Sequence, residues 1–572
     1  MPHQTSSNFA SSTNSNWLEC TWLSLTTSFL SAKFSAVVFL FLSLYLAWVY
    51  EGCRRKLCRL PQNGRSNVLK SYVDSTVNAF CANDAVRRLA RLYGDSLFTF
   101  GQLGMFAVMV KAKDNVRDYC NATEDALSME AAAEDLLQLR HTVGNQFCDE
   151  TYHIPAIRQH MNFHLRTKLP ELLAEMHEAF RDELDHCVST SGSEWVLIRI
   201  SKKIPQIICR SNSRIFVGPE LCRDPKYCEL ARNFTDSVIT WGALIRILVP
   251  IFLRPLAGRI FRYFHRHRER MLEHCRPLIM ERMADQQKLK GQQPAHEDML
   301  TWLIQSEAPE NGHSIESVAM RMLNINYVAM HTTTKAFTHA VYHLASKPHY
   351  IPILREEAET YLDIEDPTQW STHSLSRCIK IDSFLKESVR LNGLGAMYMP
   401  RKIVRDFTFS DGSVVPAGHF MALAVIPIHE DPIAYGDKAD EFDGLRFSNA
   451  IMKERSTVSS SDGGGAEGLE AGTESDSHWA HRLTGPSPNF VTFGGGRHLC
   501  PGRFLASLLM KSMLAYLLLR YDVRTEVEGV RPEDGWFGPT SSPASRANIL
   551  PAGDIDFPCP RSLLHKRPFA AS

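Results

Sequence analysis

The chain has 572 residues, of which 44% are hydrophobic and 22% are charged, so it can fold around a substantial core. Its 63 lysines and arginines balance its 63 aspartates and glutamates, and the body has no basic block, which gives no sign of a nucleic-acid partner. The fourteen cysteines are scattered, without CxxC pairs at zinc-ribbon spacing, so neither a dense disulfide framework nor a zinc ribbon is indicated.

The first predicted element is a membrane anchor at residues 34–50, which read FSAVVFLFLSLYLAWVY without a charge. With the partly apolar residues before it, this run is long enough to cross a bilayer. The basic sequence RRKLCR follows at 54–59, and by the positive-inside rule it places the rest of the chain in the cytosol. A cleavable signal peptide would carry its charge before the apolar run and a small-residue site after it. We therefore expect a lumenal, flexible segment at 1–33 and an uncleaved anchor.

The next part of the chain, from about Asp84 to Ser346, has apolar residues at three-to-four spacing among charges, and few glycines or prolines. This pattern predicts helices over 156–184 and 259–288. Residues 317–346 are less charged and are closed by Pro348, which predicts a long interior helix. Shorter helices are predicted at 351–362 and 379–391.

The pattern changes at 403–428, where short β-rich pieces alternate with turns such as Asp411-Gly412 and predict a small sheet. A second unusual stretch, 456–477, is rich in Ser, Thr, Gly and acids and nearly devoid of large apolar residues. It cannot bury enough surface to fold, so we expect a disordered surface loop. The predicted architecture is one large, mainly α domain with a minor β-sheet region, behind a single transmembrane helix.

One cysteine lies in an unusual context, the loop FGGGRHLCPG at 493–502. Glycines permit the backbone angles of a tight turn, and an apolar helical run begins after Arg503. A thiolate at the start of that helix is stabilised by free N–H groups and by the helix dipole. Such a sulfur is a ligand or a nucleophile. A nucleophile needs a positioned base, whereas an axial ligand to haem iron needs no second protein ligand.

This loop resembles the haem loop of the cytochromes P450, Phe-x-x-Gly-x-[Arg/His]-x-Cys-x-Gly. Its constrained positions are occupied in order by Phe493, Gly496, His498, Cys500 and Gly502. The resemblance implies the cytochrome P450 fold, with the Cys500 thiolate as axial ligand to the iron of haem b. It also implies that His498, at a position usually held by arginine, can pair with a haem propionate.

Other family landmarks follow the same order along the chain. The Glu-x-x-Arg pair matches Glu387 and Arg390, and FDGLRF resembles Phe-x-Pro-x-Arg-Phe, with Gly444 in place of proline. Arg446 is expected to complete a buried Glu-Arg-Arg network. Arg401, in the strand after the Glu-x-x-Arg helix, lies where relatives often place a propionate-binding arginine.

The long helix contains VAMHTT at 328–333, which resembles the family pattern [Ala/Gly]-Gly-x-[Asp/Glu]-Thr-Thr. Thr332 taken alone is equally well read as a helix threonine that bonds back to a carbonyl. With the other landmarks, the resemblance implies that Thr332, with Thr333 beside it, hydrogen-bonds dioxygen and relays protons. His331 stands at the position of the acid, and either assists the relay, since histidine titrates near neutral pH, or faces the helix exterior.

The family's helical Trp-x-x-x-Arg is missing before residue 184, and Arg158 and His160 are candidates for that propionate contact. The resemblance covers about residues 61–560, which we expect to form the haem domain. The residues that fill these motifs are similar to those of fungal family members that act in secondary metabolism.

The resemblance implies a haem-thiolate monooxygenase that receives electrons from NADPH through cytochrome P450 reductase. Its expected substrate is an apolar small molecule, of the terpenoid or polyketide type, and its expected location is the endoplasmic reticulum membrane with a cytosolic catalytic domain. Two alternatives remain. One is a family member that rearranges a peroxide without a reductase, against which the retained Thr332 argues. The other is a membrane-tethered haem binder without turnover.

Overall fold

A computed structural model describes residues 68–102, 105–145, 152–185, 195–289, 296–306, 314–461, 476–544 and 562–566, with separate residues between 37 and 60. Residues 1–33 and much of the predicted anchor at 34–50 lie outside the described residues. Within the described chain, no helix combines the length and the apolar composition that crossing a bilayer requires.

Helices make up most of the described chain, which confirms the predicted mainly α class. In the first half, the helices of nine or more residues are α1 (Val68–Asn78), α2 (Ala82–Tyr93), α3 (Lys113–Asn121), α4 (Met129–Leu137), α5 (Asn162–Phe180), α6 (Ile200–Val217), α7 (Pro225–Leu248), α8 (Arg254–His265) and α9 (His267–Leu289). In the second half they are α10 (Ile315–Ser346), α11 (Tyr350–Tyr361), α12 (Ile379–Leu391), α13 (Arg446–Ser461) and α14 (Arg503–Arg520).

Shorter helical pieces connect these elements. They are Leu139–Thr142, His153–Pro155, Pro219–Cys222, Ile251–Leu253, Met299–Gln305, Pro367–Gln369, Thr372–Arg377, Val425–His429, Pro432–Tyr435, Asp476–His481 and Gly496–His498. Wider, π-type turns at Ala156–Met161 and Arg181–Asp185 extend α5 at both ends.

The long helix α10 occupies the range predicted for an interior helix. The Ser314 hydroxyl caps it by accepting a hydrogen bond from the backbone N–H of Ser317, and it ends just before Lys347-Pro348. The predicted helix over 259–288 is instead two helices, α8 and α9, because Arg266 between them adopts a left-handed conformation with φ 48°. A left-handed residue ends a helix at its C-terminus, and the side-chain pattern on either side does not reveal it.

The strands lie in several small sheets. They are β1 (Phe98–Gln102), β2 (Met105–Val110), β3 (Leu127–Ser128), β4 (Val196–Ile198), β5 (Met397–Ile403), β6 (Phe407–Thr408), β7 (Val414–Val415), β8 (Phe420–Ala424), β9 (Tyr521–Thr525), β10 (Gly535–Phe537), β11 (Thr540–Ser542) and β12 (Ser562–Lys566). The largest has five strands in the order β1-β2-β8-β5-β3, and β4-β12-β9 form another. Two hairpins, β6-β7 and β10-β11, complete the described sheets.

The sheet predicted at 403–428 is present, but β1 and β2 lie in a region that we predicted to be largely helical. Their sequences, FTFGQ and MFAVMV, are short apolar runs whose periodicity does not separate a strand from a helix. Pairing decides their structure: Phe98 pairs with Met109 within the hairpin, and Ala107 pairs with Phe420 of β8, far along the chain.

Both ends of the stretch 456–477, which was predicted to be a disordered loop, are helical. Residues 456–461 continue α13, and 476–477 begin the short helix Asp476–His481, whereas 462–475 lie outside the described residues. Helix propagation adds a backbone hydrogen bond for each residue fixed, so a helix that has started can run into polar sequence.

Gly444, which stands where the family usually has proline, is held tightly between α11 and α12. Its backbone N–H donates a 3.0 Å hydrogen bond to the Tyr350 hydroxyl, a donor that proline lacks. A Cβ on Gly444 would lie 2.6 Å from the Phe384 ring. Close packing therefore fixes this turn without the ring of a proline.

We expect Gly444→Pro to lower the free energy of unfolding by about 2–4 kcal/mol, because it removes a buried hydrogen bond and overpacks the Phe384 ring. Tyr350→Phe is the matched control, since it removes only the hydrogen bond and should be less destabilising. Urea unfolding measures both variants, and a Gly444→Pro protein as stable as the wild type would contradict this account.

Candidate haem site

The cysteine loop is folded tightly against the end of α3. The backbone N–H of Cys500 donates to the carbonyl of Phe493 at 2.8 Å, which closes the loop. Gly496 has φ 55°, and a Cβ there would lie 2.4 Å from the Cys120 carbonyl oxygen. A Cβ on Gly495 would lie 2.7 Å from the Cys120 sulfur. The backbone can approach α3 this closely only because these residues are glycines.

Cys500 lies directly before α14, whose N-terminal cap is Gly502. Burial raises the pKa of the Cys500 thiol, and hydrogen bonds from the backbone N–H groups of Gly502 and Arg503, with the charge of Arg503, oppose that rise. The protein therefore supplies donors aimed at a sulfur anion in an enclosed position. Coordination to a metal deprotonates a thiol outright, so this sulfur is suited to act as a ligand to iron.

Arg401 is the main cation beside this loop, and a bulge in β5 directs it inward. Met399 has φ 52°, and the pairing of β5 with β8 shifts register between Tyr398 and Arg401. The Arg401 side chain is fully buried, its guanidinium carbon lies 4.5 Å from the centre of the Tyr119 ring, and its Nη1 donates to the Tyr119 carbonyl. Its Nε and Nη2 atoms have no hydrogen-bond partner among the described residues.

His498 and Arg158 place an imidazole and a guanidinium at the cysteine loop. The His498 ring lies 3.2 Å from the Ala122 carbonyl and 3.7 Å from the Glu124 carboxylate. Burial lowers the pKa of His498, as does the charge of Arg401. Arg158 is exposed and donates to the Arg497 carbonyl at 3.2 Å. Of the two candidates for the missing propionate contact, the structure places Arg158 at the loop.

His160 is not brought to the loop in the same way, since no described hydrogen bond or ion pair joins them. Asn162, which the sequence did not single out, does reach it: its amide donates to the Pro501 carbonyl at 3.1 Å. Tyr398 was also missed. Burial and then the Cys500 charge raise the pKa of its phenol, and it lies in β5 where the register with β8 shifts before Arg401. A single tyrosine or asparagine in a strand or helix carries no sequence signal for such a role.

These residues fit a haem. A buried cation with unmet donors needs an anion, and the propionates of a haem would supply one. Cys500 would then hold the iron, and Arg401 and His498 would hold the propionates. Phe493, which packs against the main core, and Gly496 and Gly502 shape the loop that carries the sulfur.

We expect Arg401→Met to stabilise the haem-free chain by about 1 kcal/mol, because it removes a buried charge with unsatisfied donors. The same variant should hold haem at least about tenfold more weakly, because the propionate loses a charged hydrogen bond. Urea unfolding of the haem-free chain and haem transfer to apomyoglobin measure the two effects. The control is Arg405→Met, whose exposed pair with Asp125 should contribute little to either.

Glu387, Arg390 and Arg446 meet in a buried ion network. The carboxylate of Glu387 receives two 2.7 Å hydrogen bonds from Arg390 and one of 3.1 Å from Arg446. Both Glu387 and Arg390 side chains are fully buried, and Arg390 also donates to the His429 carbonyl. The ring of His429 in turn accepts the backbone N–H of Val491 at 3.0 Å. This chain of contacts ends two residues before the cysteine loop and anchors its start.

Removing Arg390 should destabilise the fold strongly, because it leaves part of a buried carboxylate unpaired. We expect Arg390→Leu to lower the free energy of unfolding by about 3–5 kcal/mol. Arg117 and Asp114 form an exposed pair at the same three-residue spacing. Arg117→Leu should therefore change the free energy of unfolding by less than about 0.5 kcal/mol. Equal effects of the two substitutions in thermal or urea unfolding would contradict the proposed role of this ion network.

The candidate distal residues lie in the middle of α10. The Thr332 hydroxyl donates to the Val328 carbonyl at 2.9 Å, which is the back-bonding expected of an ordinary helix threonine. Val328 is 51% exposed although most of α10 is core, so this face borders open space. Thr333 points into the protein and is buried.

One of the two expectations for His331, its titration near neutral pH, is not met. Burial, with the charge of Lys335, lowers the pKa of His331 to about 3, so the imidazole is neutral at neutral pH. The expected titration near neutral pH is therefore wrong, because enclosure disfavours the charged form. The His331 side chain is partly exposed, and the alternative that it faces the helix exterior stays a prediction.

The comparisons with known proteins agree with this site. The model of the family "Cytochrome P450" matches residues 83–547. Cytochrome P450 monooxygenase 151 of Postia placenta is 31% identical over 89% of this chain and 95% of its own length. Cytochrome P450 monooxygenase CYP512U6 of Ganoderma lucidum is 29% identical over 77% of this chain and 81% of its own. Cytochrome P450 monooxygenase paxP of Penicillium paxilli is 30% identical over 66% of this chain and 68% of its own length.

Members of the family carry haem b and receive electrons from NADPH through a reductase partner. The family match covers most of the chain, and the fold and the cysteine loop described above agree with it. The chain therefore belongs to the cytochrome P450 family of monooxygenases.

Proposed function

We propose that this protein is a membrane-anchored haem-thiolate monooxygenase that inserts oxygen from O2 into an apolar small molecule. The observation that carries the proposal is the Cys500 sulfur at the start of α14, together with Arg401. In the part of the chain that the structure describes, two nitrogens of the buried Arg401 guanidinium have no hydrogen-bond partner. This pair of features provides an axial ligand and an anion site for the same cofactor.

Haem b, when bound, supplies the activation of dioxygen, and the protein holds and orients the participants. The Cys500 thiolate would hold the iron and donate electron density to it. Arg401 and His498 would hold the propionates, and Arg401 would supply the positive charge. On the distal side the Thr332 hydroxyl can exchange its bond to Val328 for an incoming acceptor and pass on a proton, with Thr333 buried behind it. His331, being neutral, can only accept a proton or donate a hydrogen bond there.

The substrate class that we propose is a terpenoid or polyketide-type intermediate of secondary metabolite biosynthesis. Two observations support it. The motifs of α10 and of the FDGLRF segment resemble those of fungal members of secondary metabolism, and the similar proteins include fungal monooxygenases such as paxP and atmQ of Aspergillus flavus. The open face of α10 around Val328 and Ala329 is apolar, which suits such a molecule.

We further propose attachment to the endoplasmic reticulum membrane by residues 34–50, with the haem domain, residues 61–560, in the cytosol. An exposed apolar surface on α8 and the turn before it supports contact with lipid; its members are 52–77% exposed and are Ile251, Phe252, Leu256, Ile260, Tyr263 and Phe264. Arg259, Arg262 and Arg266 accompany them, as in helices that lie at a membrane surface. A cavity of about 620 Å³ lies beneath, reaching Phe234 of α7 and Met320 of α10, and offers an entrance for an apolar substrate.

The central test is spectroscopic. Dithionite-reduced, CO-treated wild-type protein should show the red-shifted Soret band of a thiolate-ligated haem, and Cys500→Ala should lose it, because the band requires the sulfur ligand. Cys81→Ala, which changes an exposed cysteine, is the matched control and should keep the band. Retention of the band by Cys500→Ala would overturn the proposal.

A second experiment separates a monooxygenase from the other two possible activities. With NADPH and cytochrome P450 reductase, Thr332→Ala should release more hydrogen peroxide per NADPH consumed than the wild type, because proton delivery on the distal side is disturbed. Thr334→Ala, on the same helix, should not. Peroxide isomerisation without a reductase, or a Thr332→Ala protein identical to the wild type in every assay, would contradict the proposed function.

A further inference from the structure

A buried lysine on α12, Lys386, is surrounded by backbone carbonyls. Its side chain is fully buried, and its ammonium donates to the carbonyls of Ala480 at 2.7 Å, Arg482 at 2.8 Å and Gly485 at 3.4 Å. Burial lowers the pKa of Lys386 to about 7, with Asp382 opposing. An ammonium has three N–H donors and a neutral amine only two, so the three carbonyls select the charged form.

Two aromatic rings complete the enclosure of this ammonium. Its nitrogen lies 4.1 Å from the centre of the Phe490 ring and 4.8 Å from that of the Phe447 ring. A cation this close to an aromatic face is attracted to it, and more strongly where water is excluded. The ammonium therefore lies in an enclosure of three carbonyls and two rings, which we call the Lys386 cage.

The carbonyls of the cage belong to a tight turn that leads toward the cysteine loop. Within this turn the backbone N–H of Gly485 donates to the Arg482 carbonyl at 3.0 Å. The carboxylate of Asp382, one turn before Lys386 on α12, accepts the backbone N–H of Leu483 at 2.7 Å. Opposite charges on one face of α12 thus hold the backbone of the same turn.

The cage is joined to the iron ligand through Phe490. The Phe490 ring stacks on the His429 ring with the ring centres 5.5 Å apart, and the His429 ring accepts the backbone N–H of Val491. Phe493 follows two residues later, and its carbonyl accepts the backbone N–H of Cys500 at 2.8 Å. Contacts over a few residues therefore connect the ammonium to the residue that closes the cysteine loop.

We propose that Lys386 is a positioning residue for the iron ligand, because the charge of its ammonium fixes the segment that leads to Cys500. This inference rests on the proposed function, in which Cys500 holds the iron. A side chain that only filled space would act through its methylene groups, and an uncharged chain of the same length could replace it. The cage instead presents three acceptors, which an uncharged chain leaves without donors.

The first test removes the ammonium and then returns it. In the reduced, haem-loaded protein, Lys386→Ala should lose the red-shifted Soret band of the CO complex at least about tenfold faster than the wild type, because charged hydrogen bonds to the segment are missing. n-Propylammonium chloride replaces the deleted atoms. Present during haem loading and measurement, it should bring the lifetime to within about threefold of the wild type, because a cation again donates to the carbonyls. 1-Propanol has the same length without the charge and should not.

Lys386→Met keeps the test decisive if Lys386→Ala does not load haem. This variant fills the cage without a charge, so the band should again be lost faster than in the wild type, whereas space filling alone predicts the wild-type lifetime.

Hydrogen exchange provides a readout that does not use the haem spectrum. Lys386→Ala should speed the exchange of backbone N–H groups in residues 482–491 by about tenfold, because their local opening becomes easier. The matched control is Lys335→Ala, which removes another buried ammonium that donates to a backbone carbonyl, that of Ser541 at 2.8 Å. It should leave the exchange of residues 482–491 within about twofold of the wild type, because its contact lies elsewhere.

Each other outcome decides against this role of Lys386. A wild-type lifetime in both Lys386 variants, or no rescue by n-propylammonium, would show that the charge does not hold the ligand segment. Equal rescue by 1-propanol, or the same increase in exchange in Lys335→Ala, would show a general effect on packing or stability. A wild-type protein without the red-shifted band would instead contradict the proposed function, because Cys500 would not then hold the iron.

Discussion

The Glu387 carboxylate, buried with two arginines, is the interaction on which the proximal half of the structure depends. Arg390 extends it to the His429 carbonyl, and the His429 ring holds the backbone of Val491 just before the cysteine loop. Burial lowers the pKa of His429 to about 3, so the neutral ring can accept that N–H. A buried carboxylate is tolerable only when its hydrogen bonds are complete, and here completing them positions the chain that carries Cys500.

The cysteine loop depends on that anchor and on a second contact, its packing against α3. Glycines let the loop approach the Cys120 backbone, and the bulge in β5 turns Arg401 toward the same space. The loop, the strand and the helix come from distant parts of the chain, yet each supplies one element of a single site. The sulfur, the cation and the close backbone approach are thus consequences of one packing arrangement.

The distal side is held by fewer polar contacts. On α10 the Lys335 ammonium donates to the Ser541 carbonyl, and the Thr332 hydroxyl bonds back to the Val328 carbonyl of its own helix. A hydroxyl bonded within its own helix can turn to another acceptor, whereas the Glu387 carboxylate is held by two arginines. This contrast separates the groups that hold the fold from a group that is available to bind.

The sequence by itself determined the mainly helical class, the ranges of α10 and α12, and the short motif around Cys500, because periodicity and local motifs are carried by neighbouring residues. It did not reveal β1 and β2, the break at Arg266 or the neutral state of His331. Those features depend on strand pairing, backbone conformation and enclosure by residues far along the chain, so only the tertiary structure decided them.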